Sequence, residues 1–290
     1  MKILLIGKTG QIGYGLEREL QSCGQIIAPD RSQMDLSNLA QVHDVIRSTR
    51  PALIVNAAAY TDVDRAENEP ETAMQINAYA PEIIAIEARK IGAAIIHYST
   101  DYVFDGTKGG PYVEEDLPNP INAYGASKLA GEQAIQASGV SYLILRTSWV
   151  YGPRRNNFMR TVQRLAEQGS ELRVVNDQFG TPTCCETVTG NTLKLIEMAE
   201  RGKLPGLQRW QGRGDLFHLS DKGQASRYEF ARAVLSRGSL KDQPRIRPIK
   251  TSDFPTRARR PENSALCCEK IEKTGICLLP WQARLDLCLS

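Results

Sequence analysis

The chain opens on Lys2-Ile3-Leu4-Leu5-Ile6, a short apolar run that stops at Gly7-Lys8-Thr9-Gly10-Gln11-Ile12-Gly13, with a helical pattern starting near Gln11. An apolar run of strand length, closed by glycines and followed at once by a helix, predicts strand, tight turn and helix, the opening of a parallel α/β sheet. In that geometry Gly7 permits the tight turn, Gly10 lets the backbone approach a pyrophosphate, and Gly13 lets the helix pack closely on the strand. The helix N–H groups face the phosphate. A second strand, Gln25-Ile26-Ile27-Ala28-Pro29, ends in Asp30-Arg31. About 20 residues past the glycines is where the adenosine ribose of a dinucleotide sits; an acid there accepts from the hydroxyls of NAD, and an arginine accommodates the 2′-phosphate of NADP. The chain offers both, so the pair leaves NADH against NADPH open.

Apolar strands and helical segments continue to alternate: a strand over 52–56, a helix over 71–91, a strand over 93–98, a helix carrying Tyr124, and a strand over 142–147. Such alternation implies right-handed crossovers around a Rossmann-like, doubly wound parallel sheet. After Val150 the pattern changes to short strands, 172–176 and 217–220, among helices at about 156–168, 186–200 and 226–236. The last has a capping box, Ser226-Arg227-Tyr228-Glu229, which satisfies exposed backbone N–H groups. The expected organisation is a dinucleotide-binding domain over 1–150 and a smaller α/β substrate-binding portion over 151–290, with an approximate boundary the chain can cross. The stretch 202–214, rich in Gly, Arg and Gln, is expected to be a surface loop.

Composition sets outer limits. With 290 residues, 41% of them hydrophobic, the chain can bury a large core. A formal net charge of +3 argues against nucleic acid or a membrane surface as partner. There is no apolar stretch long enough for a signal-peptide core or a membrane span, so a cytoplasmic, soluble protein is expected. The seven cysteines include two adjacent pairs and no C-x-x-C, no zinc or disulfide framework. His43, His97 and His218 are scattered and read as structural.

Candidate chemistry falls where the strands end, as it does in open α/β sheets. Tyr124 and Lys128 stand one helical turn apart and share a helix face. A phenol has an ordinary pKa of about 10, so it exchanges protons near neutrality only with positive charge beside it, which a lysine at i+4 can supply. The strand before this helix ends in Ser99-Thr100-Asp101-Tyr102-Val103-Phe104. A hydroxyl there can hydrogen-bond a substrate carbonyl beside Tyr124, and both Ser99 and Thr100 are available. The third strand ends in Asn56-Ala57-Ala58-Ala59-Tyr60-Thr61, whose small side chains let a flat cofactor lie against the backbone.

Together with Arg146-Thr147-Ser148-Trp149-Val150-Tyr151, Asn176-Asp177-Gln178-Phe179-Gly180-Thr181-Pro182-Thr183 and Arg260-Pro261-Glu262-Asn263-Ser264, these segments run in the order found in one family. The chain resembles the dTDP-4-dehydrorhamnose reductases, of the extended short-chain dehydrogenase/reductase superfamily, over nearly its whole length. The glycine spacing is the variant that superfamily uses. The resemblance implies reduction of the C4 ketone of dTDP-4-dehydro-β-L-rhamnose by NADPH or NADH, the last step of dTDP-L-rhamnose synthesis. It makes Tyr124 the general acid, Lys128 the group that lowers its pKa and holds the nicotinamide ribose, and Thr100 the hydroxyl that polarises the carbonyl. Asn77 resembles a fourth active-site residue that supports the lysine through water. Cofactor contacts carry over onto Gly10, Gln11, Ile12, Asp30, Asp35, Leu36, Ala59, Tyr60 and Thr61. Trp149 is implied to border the sugar, with Asp101 nearby, and Arg260 to pair with the substrate pyrophosphate.

Some family members dimerise around Mg²⁺ held by glutamates. Here Gly15 stands where the first is expected, the C-terminal Leu285 to Ser290 offers none, and Glu186 alone fits. The expectation is therefore no bound metal, and a monomer or a metal-free homodimer. Two other functions fit parts of the pattern: a sugar-nucleotide epimerase or dehydratase on the same scaffold, and a non-catalytic regulatory subunit like the β subunit of methionine adenosyltransferase. Intact Thr100, Tyr124 and Lys128 favour an enzyme.

Overall fold

The structure is a computed structural model and describes residues 1–169, 171–204, 207, 210–212, 214–238 and 244–289. Strands β1 (Lys2–Ile6), β2 (Gln25–Ile27), β3 (Leu53–Asn56), β4 (Ala94–Thr100) and β5 (Tyr142–Thr147) alternate with helices α1 (Gln11–Glu19), α2 (Leu39–Thr49), α3 (Ala80–Ile91) and α4 (Ala123–Ser138). With β6 (Asp215–His218) the strands form a six-stranded sheet of order β6-β5-β4-β3-β1-β2, every adjacent pair parallel. The strands are nearly continuous apolar runs because both faces are covered. Ile3 and Leu5 of β1 join Leu16 of α1 and Leu20 just after it on one face, while Leu4 and Ile6 join Val42 and Ile46 of α2, Ile84 of α3 and Ile135 of α4 on the other. The chain runs from β1 outward to β2 and returns across to β3, so order reverses between β1 and β3 and a crevice opens at their carboxyl ends.

The helix expected over 71–91 is interrupted. A short helix, Pro70–Met74, passes through a π-helical turn, Gln75–Tyr79, into α3. Asn77, buried in that turn, accepts from Tyr60 N–H at 2.8 Å and donates to Tyr60 O at 3.0 Å and Ser127 Oγ at 3.0 Å. Single π-turns of this kind place one side chain out of the α-helical register.

After residue 150 the chain builds α5 (Phe158–Glu167), α6 (Cys185–Glu200), α7 (Arg227–Arg237) and α8 (Trp281–Leu289). The capping box of α7 is formed: Ser226 N–H donates to Glu229 Oε2 at 2.7 Å and Glu229 N–H to Ser226 Oγ at 3.1 Å. Tyr151, Met159, Phe230, Ala231 and Trp281 form a separate core. This half also returns to the sheet twice, through β6 beside β5 and through α6, whose Val188, Leu195 and Ile196 pack with α1. In the expected surface loop, Leu204 and Leu207 are buried at 2% and 0% exposure, and an apolar pair explains their inward turn; Pro205, Gly206, Gln208, Arg209 and Arg213 lie outside the described residues. No helix among the described residues is long and apolar enough to cross a membrane.

Candidate active site

Gly7 leaves β1 with φ 89°, a left-handed value that suits glycine, and Gly10 N–H closes the turn on Gly7 O at 2.9 Å. A Cβ at Gly13 would stand 2.0 Å from that same carbonyl oxygen, so only glycine lets α1 start so close to β1. Gly10 caps α1 without a side chain, which leaves the first-turn N–H groups available to an anion. They face a cleft of about 820 Å³ along the carboxyl ends of the strands, ample for a dinucleotide and a second ligand.

Every predicted cofactor residue except Gly13 and Tyr60 lines this cleft, and so does every predicted substrate residue except Arg260. Gly13 acts behind the turn, in packing. Tyr60 turns its hydroxyl to Glu69 Oε2 at 2.9 Å. Arg260 is forked on Asp64, at 3.1 and 2.6 Å, and is absent from the cleft wall; an arginine this well matched to a carboxylate is not free for pyrophosphate. Beyond the end of β2, Asp30 accepts from Ser32 N–H at 2.9 Å and Ser32 Oγ at 2.6 Å, bonds to Ser32 and Gln33 that hold its carboxyl below the usual range. Arg31 extends into solvent and reaches Asp35 Oδ2 at 3.2 Å. The acid is fixed while the arginine is mobile in principle, since an exposed i,i+4 pair contributes only a few tenths of a kcal/mol.

At the end of β4, the Thr100 and Ser99 alternatives separate. The Thr100 hydroxyl contacts the Tyr124 hydroxyl, donates to Asp101 Oδ1 at 3.1 Å and accepts from Tyr102 N–H at 3.1 Å. Ser99 Oγ is buried without a partner among the described residues, as are Thr147 Oγ1 and Trp149 Nε1, all from residues lining the cleft. Buried polar atoms left unpaired cost free energy, so their concentration here fits a site that a polar ligand completes. Burial pushes the Asp101 carboxyl up to about 6, opposed by hydrogen bonds from Ser264 and Thr100. Tyr124 is also pushed above its ordinary value, by loss of water around the phenol. Lys128 does not offset this, because its amine turns inward: Nζ lies 2.6 Å from Tyr98 O and 3.1 Å from His97 Nε2. Asn77 itself bonds Tyr60 and Ser127 directly.

Sequence reasoning missed Arg227 and the loop before α5. Arg227, the first residue of α7, lies over the Trp149 ring at 3.5 Å and lines the cleft. Trp149 itself has φ 45°, a costly backbone state for a bulky residue, and its ring rests on Gly180, where a Cβ would sit 2.4 Å from the ring. That contact explains the glycine of Asn176-Asp177-Gln178-Phe179-Gly180. Arg155 Nε donates to Thr9 O at 2.6 Å and Asn157 Nδ2 to Gln11 Oε1 at 3.0 Å, tying the far loop to the glycine turn. Only the polar run Arg154-Arg155-Asn156-Asn157 hinted at this.

A doubly wound parallel sheet, a glycine turn at its switch point and a Thr–Tyr–Lys set at the end of β4 define a nicotinamide-dependent oxidoreductase of the short-chain dehydrogenase/reductase type. Residues 1–290 match the family model of the RmlD substrate binding domain, and the chain belongs to that family. It is 44% identical to dTDP-4-dehydrorhamnose reductase of Escherichia coli K12 over 300 aligned positions, covering 100% of this chain and 97% of that protein. A dTDP-4-dehydrorhamnose reductase structure from Clostridium acetobutylicum superposes with TM-score 0.91 at 34% identity, covering 100% and 98% of the two chains. Another from Bacillus anthracis, in complex with NADP, does so with TM-score 0.90 at 34% identity, covering 99% and 98%.

Proposed function

We propose that this protein reduces the C4 ketone of dTDP-4-dehydro-β-L-rhamnose to dTDP-β-L-rhamnose, the final step of dTDP-L-rhamnose biosynthesis, using NADPH or NADH. The observation that carries the reading is the Thr100–Tyr124 hydroxyl contact, set in one cleft with the glycine turn. The residues present fit a dinucleotide: the turn offers free N–H groups, and Asp30 and Arg31 stand at the ribose end. When bound, the dihydronicotinamide supplies the hydride that C4 receives. The ketone oxygen accepts from the Thr100 and Tyr124 hydroxyls, and the Tyr124 proton passes to that oxygen as the C4–H bond forms, giving an alcohol. A phenol pushed up by loss of water is fully protonated at neutral pH and so is loaded as the acid. Lys128, brought outward as an ammonium, offsets the charge left on the phenol.

On the opposite wall, Trp149 offers an apolar ring face to the deoxysugar. Arg227 takes the pyrophosphate role first given to Arg260: it faces the cleft and has no carboxylate within ion-pair distance among the described residues. The segment after residue 150 thus supplies much of the substrate wall. The reading takes the enzyme to work in the cytoplasm as a monomer or metal-free homodimer.

Purified protein mixed with dTDP-4-dehydrorhamnose and NADPH or NADH is expected to oxidise the cofactor in step with formation of dTDP-rhamnose, identified by proton NMR. Cofactor oxidation with no rhamnosyl product would move the reading to another ketosugar.

A further inference from the structure

Four hydrogen bonds behind the cleft form a directed chain. Ala58 N–H donates to Asn56 Oδ1 at 3.2 Å, which turns the Asn56 amide so that Nδ2 meets His97 Nδ1 at 3.2 Å. An amide nitrogen only donates, so His97 Nδ1 must accept, and the proton of a neutral imidazole then resides on Nε2. His97 is neutral, since burial alone pushes its pKa well below the ordinary value. Nε2 lies 3.1 Å from Lys128 Nζ, and Nζ lies 2.6 Å from Tyr98 O. A proton on Nε2 needs a lone pair opposite, and only the uncharged amine has one. With Lys128 as an ammonium, one contact in the chain sets donor against donor. With it as an amine, every contact is satisfied: Nζ accepts from His97 and donates to Tyr98 O.

We propose that His97, fixed by Asn56 as the Nε2–H tautomer, is a positioning residue that favours the neutral, inward-turned amine of Lys128 in the cofactor-free protein, so that above neutral pH cofactor binding draws the amine out and charges it with a proton from solvent. The inference deepens the functional reading above, because it concerns the same lysine. It also departs from the sequence expectation that His97 is merely structural.

The surroundings of Lys128 agree. Asn56, His97 and Lys128 are each 1% exposed. Burial pulls the amine down to about 8, with Glu132 alone pulling upward. Glu132, one turn along α4, is committed to Arg146 of β5 through bonds of 2.9 and 2.6 Å. Tyr124, one turn back, is an uncharged phenol at these pH values, and His97 on β4 is neutral. No anion on any of these elements is left to hold an ammonium in the inward position. Cofactor phosphates and ribose hydroxyls accept hydrogen bonds from an ammonium, and so raise its pKa when bound.

The sign follows. A group whose pKa is raised by binding takes up a proton on binding, between its free and bound pKa values. At a pH of about 9, an amine titrating near 8 is roughly nine-tenths neutral. Binding of NADP there is expected to take up close to one proton, and affinity to fall up to about tenfold for each pH unit above that point.

The test is twofold, on the full chain. In cofactor-free protein carrying ¹³C-labelled lysine, the Lys128 resonance, assigned by its loss in Lys128→Met, is followed against pH. Calorimetry of NADP binding in buffers of different ionisation heat counts the protons. Asn56→Asp offers a carboxylate to His97 Nδ1, moves the imidazole proton there and frees Nε2 to accept; it is expected to raise the Lys128 pKa by a unit or more and abolish most of the uptake. His97→Gln, which adds no charge and can turn its oxygen to the amine, must move both readouts in the same direction. A Lys128 that titrates near the ordinary lysine value of about 10.4 in the unaltered protein overturns the proposal. So does a titration and proton count that both variants leave unchanged. The resonance titration needs neither substrate nor turnover, so its failure is separate from a failure of the reductase reading.

Discussion

On the cofactor wall, backbone meets backbone: a Cβ on Gly7 would come within 2.7 Å of Ala58 N, and one on Gly13 within 2.0 Å of Gly7 O. On the facing wall, side chains do the packing, with the Trp149 ring between the Gly180 backbone and the Arg227 guanidinium and segments gathered from three separate parts of the chain. The glycine turn of the first wall has no room to repack, because its closest neighbours are backbone atoms. The second can be altered one side chain at a time. Damage to the glycine turn of the first is therefore expected to be structural and shared by every ligand, whereas damage to the second is expected to fall on the sugar nucleotide alone.

The largest effect is expected from Tyr124→Phe, at the junction of the two walls: turnover falls about 10²–10⁴-fold with cofactor affinity near normal, read by steady-state kinetics and by fluorescence titration of NADPH. Gly13→Ala comes next. Forcing a methyl group into backbone costs about 3 kcal/mol or more, seen in denaturant unfolding and as a cofactor Kd weakened about 100-fold. Equal losses for NADPH and NADH would fit; a loss confined to the sugar nucleotide would break the distinction between the walls. Arg227→Leu removes a cation from the substrate wall, and the KM for the sugar nucleotide is expected to rise about tenfold to 100-fold at unchanged cofactor affinity. Gly180→Ala displaces the Trp149 ring and is expected to raise the same KM about tenfold. Smallest is Arg31→Ala, which shifts only the NADPH to NADH preference, by a few fold, because Arg31 is itself exposed and pairs only with the half-buried Asp35.

The same division decides what the sequence disclosed. Gly7, Gly10 and Gly13 sit within one turn, and the requirement they meet is local, so their spacing alone announced the cradle. Tyr124 and Lys128 were legible for the same reason, being one helical turn apart. Arg227 was not, because its role comes from α7 being brought to β5 by a separate core of Tyr151, Phe230 and Trp281. The choice of Arg260 failed on a partner no local pattern displays: Asp64 lies far away in sequence and pairs with it at 2.6 Å. Likewise the inward turn of Lys128 depends on His97 and Asn56 in neighbouring strands, whose register brings Asn56 opposite His97. Helix 71–91 was read at its right length, but the π-turn that buries Asn77 leaves no trace in apolar periodicity.

The central claim is that one cleft holds cofactor and ketosugar with Tyr124 as the acid between them. A single-turnover experiment tests it most directly: protein preloaded with NADPH is mixed with dTDP-4-dehydrorhamnose and the loss of dihydronicotinamide absorbance is followed for the unaltered chain and for Tyr124→Phe. The account predicts one equivalent oxidised rapidly in the first case and a rate lowered at least about 100-fold in the second, with NADPH still bound. Equal rates in the two proteins, or no oxidation in the unaltered chain despite bound NADPH and substrate, would contradict it.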